Sequence, residues 1–253
     1  MYRVSKVLNN NGVIAIDMDE NKEYVILGKG VGFGKKVSQR FDKPEGCTTY
    51  RLEQETERGS AKELVKGIEP EYLEIADAIL TESQKVFGDS IDRGILFPLA
   101  DHISFAVARI RRNEQISNPL TEDIKVLFYS ECKVAATLNT VLRERLQIEI
   151  DDHEVGYVAL HIHSAIGDEK VSVAMQTARA VRECIDMLEK ATGKPIDVLS
   201  LSYNRLMNHM KYMVARASTG EKLNLDMNEY MLDQYPQAYK VATDICKNLE
   251  GCI

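Results

Sequence analysis

The 253-residue sequence has few cysteines and no long hydrophobic run. A membrane-spanning helix needs roughly 20 consecutive apolar residues, and none of the runs here is that long. The first residues, MYRVSKVLNNNG, lack the apolar core of a signal peptide. The five cysteines are odd in number and include no Cys-x-x-Cys pair, which predicts reduced thiols and no thiolate metal site. We therefore expect a soluble, cytoplasmic protein without a cofactor or membrane segment.

Acidic residues exceed basic ones overall, but not in every part of the chain. The net charge is −7, which argues against a nucleic-acid partner. Residues 1–55, however, contain nine Lys and Arg against eight Asp and Glu, so the remaining residues carry almost all of the negative charge. A near-neutral first segment can still bind a polyanion.

Residues 1–55 have the composition of a small β-sheet. The segments YRVSKVL, GVIAIDM, EYVILG and TTYRL are rich in β-branched and aromatic residues, and Asn-, Asp- and Gly-rich turns separate them. Four short strands give a thin antiparallel sheet with one face that can be covered. Because such a sheet is marginally stable alone, we expect it to self-associate.

Helical periodicity begins after a polar segment, ETERGSAKEL, that we interpret as a linker. The helical segments include PEYLEIADAILTESQKVF, FPLADHISFAVARIRRN, EDIKVLFYSECKVAATLNTVLRERL and EVGYVALHIHSAI. DHISFAVAR, which begins at Asp101, recurs as NHMKYMVAR 107 residues later, and KVA at 133–135 recurs at 240–242 with the same offset. A constant offset predicts two tandem helical domains. The predicted fold class is thus multidomain: a small antiparallel β-sheet domain followed by two homologous all-α helical bundles.

Each copy of the repeat carries a histidine beside its apolar stripe. At about 100° per residue, His102 lies on one flank of its helix with Phe105 and Arg109, and we expect it to be neither fully buried nor fully exposed. His209 has the equivalent place in the second copy. One interpretation is a helix surface that packs against its twin. The other is a phosphoryl acceptor, because neutral imidazole is a nucleophile near physiological pH and a new phosphate would recruit an arginine or disrupt packing.

Two further histidines allow a metal-site hypothesis. His161 and His163 lie about 200° apart on a helix, so their rings diverge and they do not form a His-x-His chelate. The site would become plausible again if His161 met His102 from another helix. A metal-dependent hydrolase using these histidines with carboxylates such as Asp101 is therefore an alternative, and we expect no metal under the leading interpretation.

The stretch LGKGVGFGKK places four glycines in alternation after a strand, with lysines and Phe33 among them. Nucleotide-binding glycine loops open directly into a helix, whereas VSQRFDKPEGC follows here, so we reject a Rossmann or P-loop site. Cations, a stackable ring and a closely approachable backbone are instead typical of RNA recognition. The amides of Asn9–Asn11 could add hydrogen bonds to bases. A hairpin with solvated lysines explains the composition equally well.

Taken together, these motifs resemble the BglG/SacY transcriptional antiterminators that the sugar phosphotransferase system controls. KVLNNN and GKGVGFGKK resemble the signatures of the co-antiterminator RNA-binding domain, DHISFAVAR and EVGYVALHIHSA resemble the first PTS regulation domain (PRD), and NHMKYMVAR resembles the start of the second. GKGVGFGKK and ALHIHSA are most similar to the glucose-operon type. The implied domains are 1–55 for RNA binding, 56–63 as linker, 64–169 as first PRD and 170–253 as second PRD.

The resemblance implies a regulator, not an enzyme. Its RNA-binding domain, residues 1–55 (called the head below), would bind a hairpin in nascent messenger RNA as a homodimer and block formation of an overlapping terminator. The implied RNA contacts are Lys6, Asn11, Gly28, Lys29, Gly30 and Phe33. The family often has arginine where Lys29 stands, so a phosphate contact is better supported there than a base contact. The implied phosphoacceptors are His102, His161 and His209, with the phosphocarrier protein HPr and a sugar-specific enzyme II as donors.

The sequence departs from the family pattern at one point. Adding the repeat offset to His161 gives a position beyond Ile253, so the second PRD is expected to lack its last helix and its second histidine. His153 and His163 match no phosphoacceptor position. A PRD-containing DNA-binding activator is a further alternative, but no helix-turn-helix pattern precedes the repeats.

Overall fold

β-Strands precede α-helices along the chain. A computed structural model describes residues 1–52, 55–56, 59–114, 116–167, 170–196, 200–221 and 226–252. These residues form an N-terminal antiparallel sheet and then a long helical region, which confirms the predicted fold class. Two compact units are present: one comprises Met1–Ser117 with Ser130–Val171, and the other comprises Asn118–Tyr129 with Ser172–Ile253.

The first unit begins with a five-stranded sheet. Its strands are β1 (Tyr2–Asn9), β2 (Gly12–Asp17), β3 (Lys22–Leu27), β4 (Arg40–Phe41) and β5 (Thr48–Arg51), and all neighbours pair antiparallel in the order β4-β1-β2-β3-β5. The four predicted strands are therefore present. The edge strand β4 was not predicted, because two residues are too few to show a period of two.

Both faces of this sheet are buried. One face belongs to a core cluster that includes Val13, Ala15 and Ile26. On the other face, Ile14 pairs with Val25 and Val25 pairs with Tyr50, and all three are buried. The ring of Tyr50 lies 6.4 Å from that of Phe97, centroid to centroid. The prediction of a single covered face is therefore wrong, because a helix following the sheet in sequence covers the second face.

The helical region contains short and long helices. They are α1 (Ala61–Gly67), α2 (Pro70–Phe87), α3 (Leu96–Arg111), α4 (Thr121–Leu127), α5 (Tyr129–Ala135), α6 (Thr137–Leu146), α7 (Asp152–Gly167), α8 (Val171–Thr192), α9 (Leu201–Thr219), α10 (Asn228–Gln234) and α11 (Pro236–Cys252). Pro70 occupies the first turn of α2, where its missing N–H costs nothing, and Gly88 ends that helix with a φ of 74°. In the ranges described, no helix is both long enough and apolar enough for a membrane span.

The predicted linker is partly ordered structure. Residues 57 and 58 lie outside the described residues. On either side of them, β6 (Glu55–Thr56) pairs with β7 (Gly59–Ser60), and α1 begins immediately afterwards. Ala61 and Val65 of α1 are buried. A small apolar set of this kind is easily missed in a sequence dominated by Glu, Lys and Gly.

One predicted helix is three helices in the structure. The segment from Glu122 to Leu146 has a continuous apolar period, yet it is divided into α4, α5 and α6. Phe128 separates the first two, with φ −123° and ψ 45°, and its side chain is buried. Periodicity alone did not indicate this break, because each short helix keeps the same three- and four-residue spacing.

The bounds of the helices follow the predicted repeat. Helices α4 and α10 begin 107 residues apart, at Thr121 and Asn228, and also end 107 residues apart, at Leu127 and Gln234. Helices α5 and α11 likewise begin at Tyr129 and Pro236. The two histidine-bearing helices, α3 and α9, occupy matching places in the two copies.

Candidate nucleic-acid interface and histidine cluster

The turn between β1 and β2, residues 9–12, contains three consecutive asparagines and is called the asparagine turn here. The side-chain Oδ1 of Asn9 accepts a hydrogen bond of 2.8 Å from the backbone N–H of Asn11. An asparagine that bonds to the backbone two residues later stabilises a turn by itself. The Oδ1 of Asn11 accepts a bond of 3.0 Å from the backbone N–H of Gly30. The turn is therefore held both internally and by the segment that follows β3.

The segment that follows β3, residues 28–34, contains four glycines and is called the glycine loop here. The N–H of Gly28 donates to the Asn11 carbonyl at 2.9 Å, and the N–H of Gly32 donates to the Asn10 carbonyl at 3.0 Å. A Cβ on Gly32 would overlap the Asn9 carbonyl oxygen, so only glycine permits this approach. Gly30 has a φ of 73°, in the left-handed region that favours glycine. The loop and the turn thus form one rigid backbone surface.

Two side chains of the glycine loop are exposed, whereas Val31 is buried in the core of the sheet. Phe33 is 75% exposed, and Lys29 is exposed as well. The neighbouring Lys35 lies over the ring of Phe41, with its Nζ 4.9 Å from the ring centroid. An exposed aromatic ring and an exposed ammonium group on one loop can stack on a base and bind a phosphate.

The predicted RNA contacts lie in two places. Asn11, Gly28 and Gly30 are joined by hydrogen bonds, and Lys29 and Phe33 lie on the same loop. Lys6 lies on β1 instead, where it is exposed and lines a cleft with Glu23 and Lys62. Whether any of these residues contacts RNA stays a prediction.

A carboxylate from α2 reaches the asparagine turn. Glu74 accepts a hydrogen bond of 2.7 Å from Asn9 Nδ2 and one of 3.1 Å from Asn11 Nδ2. Arg145 of α6 donates to the same carboxylate at 3.2 Å. Sequence reasoning missed Glu74, because a contact between residues more than 60 positions apart leaves no local pattern.

His102 and His161 lie side by side in the first helical repeat. Helix α7 packs against α3, and the two imidazole rings are 5.2 Å apart, centroid to centroid. The ring of Tyr157 is 5.9 Å from that of His102. His102 is only 8% exposed, so the expectation that it would be half-exposed is wrong. His102 is buried because α7 covers the flank of α3 that the apolar pattern of α3 alone did not assign to the core.

Glu154 completes this histidine cluster. Its Oε1 accepts a bond of 2.6 Å from Arg109, and its Oε2 lies 3.2 Å from His102 Nε2. Burial alone would raise the pKa of the Glu154 carboxyl, but the close approach of His102 and the hydrogen bond from Arg109 outweigh it and hold the pKa below its ordinary value. The sequence contains a signal for this residue that was not used: Glu154 precedes His161 by seven positions and therefore shares its helix face.

The third histidine of α7 has a different partner. His163 Nδ1 lies 2.9 Å from Glu131 Oε1, on the other side of the helix from His161, as the predicted divergence requires. His153 is half-buried in the first turn of α7. His161 does meet His102 from another helix, but within the described ranges no group of three or more His, Cys, Asp or Glu residues is arranged to hold a metal ion.

The second repeat presents its histidine differently. His209 of α9 is exposed and lines a cavity with Tyr212, Arg216 and Glu221. Tyr212 and Phe105 are equivalent by the repeat, and both are exposed. The predicted arginine therefore accompanies the predicted histidine in both copies, and each arginine is half-buried.

A small β-sheet domain with a glycine loop, followed by two histidine-bearing helical repeats, is the architecture of a class of regulator that joins an RNA-binding domain to repeated helical regulation domains. Comparison with known families agrees with this class. The CAT RNA binding domain matches residues 2–59, and the PRD domain matches residues 77–165 and 181–251. The chain belongs to the BglG/SacY family of transcriptional antiterminators, which confirms the resemblance found in its sequence.

Individual relatives support the assignment. The chain is 30% identical to the "GlcA/glcB genes antiterminator" of Staphylococcus carnosus (strain TM300), over 98% of this chain and 88% of the relative. It is 27% identical to "Protein GlcT" of Staphylococcus haemolyticus (strain JCSC1435), with the same shares covered. A solved structure, "Crystal structure of GlcT CAT-PRDI", matches 66% of this chain and 98% of its own, with a TM-score of 0.57 and 29% identity.

Proposed function

We propose that this chain is a transcriptional antiterminator whose head binds a hairpin in nascent messenger RNA as a homodimer and thereby prevents a terminator from forming. The observation that carries the proposal is the glycine loop, which is fixed to the asparagine turn while Lys29 and Phe33 remain exposed. Because such transcripts are made in the bacterial cytoplasm, that is where the chain would act. The working domain boundaries are those predicted from the sequence.

The predicted RNA contacts have distinct chemical roles. Lys6 and Lys29 supply cations for phosphates, and Phe33 supplies a ring for base stacking. The amide of Asn11 can donate to a base edge or a phosphate. Gly28 and Gly30 lack side chains and so allow the RNA backbone to approach closely.

A mobility-shift assay tests RNA binding directly. The full chain should retard an RNA hairpin with asymmetric internal loops and should not retard the same hairpin with its loops fully paired. Lys29→Ala should weaken binding and lower its salt dependence, whereas Lys190→Ala, an exposed lysine on α8, should change neither. Equal binding of both hairpins, or equal effects of the two substitutions, would contradict sequence-specific recognition by the loop.

The second part of the proposal concerns control by the sugar phosphotransferase system. His102, His161 and His209 would accept phosphoryl groups from HPr and a sugar-specific enzyme II. A phosphoryl group adds roughly −1.5 to −2 charges at neutral pH. On His102 this charge would face the Glu154 carboxylate, and on His161 it would lie against the His102 ring, so in either place it would push α3 and α7 apart. On His209 it would instead lie beside Arg216, in the open cavity of the second repeat.

Charge-mimicking variants test this control. Aspartate at position 102 or 161 should change the fraction of dimer more than alanine does, because only aspartate adds repulsion to Glu154. At position 209, aspartate should pair with Arg216, and alanine should not. Sedimentation velocity of the six variants gives the dimer fraction. Dimer fractions equal to wild type in all six would rule out the phosphoacceptor role.

A further inference from the structure

The carboxylate of Glu74 accepts hydrogen bonds from the side-chain amides of Asn9 and Asn11, and Asn11 is one of the predicted RNA contacts. Both side-chain oxygens are used: Oε1 by Asn9, and Oε2 by Asn11 and Arg145. The Glu74 side chain is 15% exposed, so little of it is left to water. An acid in this position places negative charge directly against the asparagine turn.

A second contact holds the same helix to the sheet. Asp77, one turn after Glu74 on α2, accepts hydrogen bonds from the Tyr50 hydroxyl and from Arg93, the latter at 2.8 Å. Arg93 also donates to the Tyr50 hydroxyl oxygen at 2.7 Å. Residues three apart on a helix share a face. Helix α2 is therefore fixed to the head at two points, one at the asparagine turn and one at β5.

An RNA hairpin would compete with Glu74 for the same groups. Phosphate oxygens and base carbonyls are acceptors for amide N–H groups, as a carboxylate is. The carboxylate also repels a phosphate that approaches the turn. The Asn9 and Asn11 amides cannot serve both partners in full while the contact persists.

We propose that Glu74 is an intramolecular competitor of RNA: by binding the Asn9 and Asn11 amides it holds the chain in a closed form, and RNA binding requires its release. This inference rests on the proposed function. The contact would let changes at the histidines alter RNA binding, because α2 packs on both α3 and α7, which carry His102 and His161. Coupling between two sites is reciprocal. If bound RNA favours the release of α2 from the sheet by a given factor, then release of α2 raises the RNA affinity by the same factor.

Substitution of Glu74 tests the competitor role in the full chain. Glu74→Ala should bind the looped hairpin about tenfold more tightly than wild type, a difference of about 1.4 kcal/mol. Glu74→Gln, which keeps the shape and one acceptor but removes the charge, should bind about threefold more tightly, roughly 0.7 kcal/mol. The matched control is Glu82→Ala, an exposed acid on the same helix that pairs with Lys85. It removes the same charge and should leave affinity unchanged.

Each outcome has a defined meaning. Unchanged affinity in both Glu74 variants would overturn the inference, and weaker binding would show that Glu74 orients the asparagines for RNA. An equal gain from Glu82→Ala would attribute the effect to net charge and would also overturn it. If wild type fails to bind but Glu74→Ala binds, the closed form is confirmed. If no variant binds any hairpin, both this inference and the proposed function fail, whereas binding by wild type without a gain refutes only the competitor role.

Discussion

Glu154 is the residue on which the electrostatics of the first histidine cluster depend. A buried carboxylate is stable only when cations or hydrogen bonds compensate for its lost hydration, and here Arg109 and His102 do so. The cluster is therefore balanced in its unphosphorylated form. A further negative charge on His102 would be repelled by the Glu154 carboxylate, which lies 3.2 Å from its imidazole.

Glu154→Gln should make the chain less stable at neutral pH by about 2 kcal/mol, because it removes charged hydrogen bonds in a buried site. The folded-state pKa of Glu154 lies below its ordinary value near 4.5, so the stabilisation is complete above that value and is lost as the pH falls through the folded pKa. Urea unfolding should show the difference between wild type and variant shrinking below about pH 4.5. Glu149→Gln, which removes an exposed ion pair with Arg143, should change stability by less than about 1 kcal/mol. A difference that stays constant down to acid pH would contradict the assignment of the pair.

Phe33 should matter for RNA and not for folding. It is a large apolar side chain that the fold leaves 75% exposed. Phe33→Ala should cost about 1–3 kcal/mol of RNA-binding free energy if a base stacks on the ring, with the urea midpoint unchanged. Tyr230→Ala, an exposed aromatic on α10, is the control and should leave RNA affinity as it is. Full affinity in Phe33→Ala would remove the stacking role.

At the scale of elements, the glycine loop and asparagine turn behave as one unit. The backbone N–H groups of Gly28 and Gly32 donate to carbonyls of the turn, and that of Gly30 donates to the Asn11 side chain. The spacing of the glycines predicted a loop that approaches another backbone closely. It did not predict that the other backbone is the protein's own turn, because strand pairing decides which segments meet.

Gly32→Ala should disrupt this unit. The added Cβ would overlap the Asn9 carbonyl oxygen, and relief of such overpacking costs about 1–3 kcal/mol. Urea unfolding should show lower stability, and mobility shift should show weaker RNA binding than wild type. The control is Gly67→Ala, at the end of α1, where a Cβ meets no atom within 4 Å and alanine favours the helix. Equal stability of the two variants would mean that the loop is not packed as described.

The helices show where sequence reasoning succeeds and where it stops. The repeat offset of 107 located equivalent helices to the residue, because an offset compares the chain with itself and needs no assumption about structure. The break at Phe128 and the burial of His102 were missed, since both depend on which elements pack together. Glu74 is the extreme case: its partners are set entirely by tertiary packing. Residue type and periodicity therefore predicted the loop, the turn and the histidine-bearing helices, but not the acids, Glu74 and Glu154, that contact them.

Along the whole chain, an RNA-binding β-sheet domain precedes helical repeats that carry histidines. Family membership covers both parts of the chain. The acidic charge of the repeats should oppose non-specific RNA binding, and the near-neutral residues 1–55 should leave recognition to a few residues. Affinity should therefore depend on the hairpin's loops more than on its length.

The most direct test of this account is sedimentation velocity of the full chain mixed with a fluorescent RNA hairpin that has asymmetric internal loops. The account predicts that the hairpin moves in a single complex whose mass corresponds to two chains and one hairpin, and that a fully paired hairpin stays free. A looped hairpin that sediments alone, or with one chain only, would contradict recognition of folded RNA by a paired head.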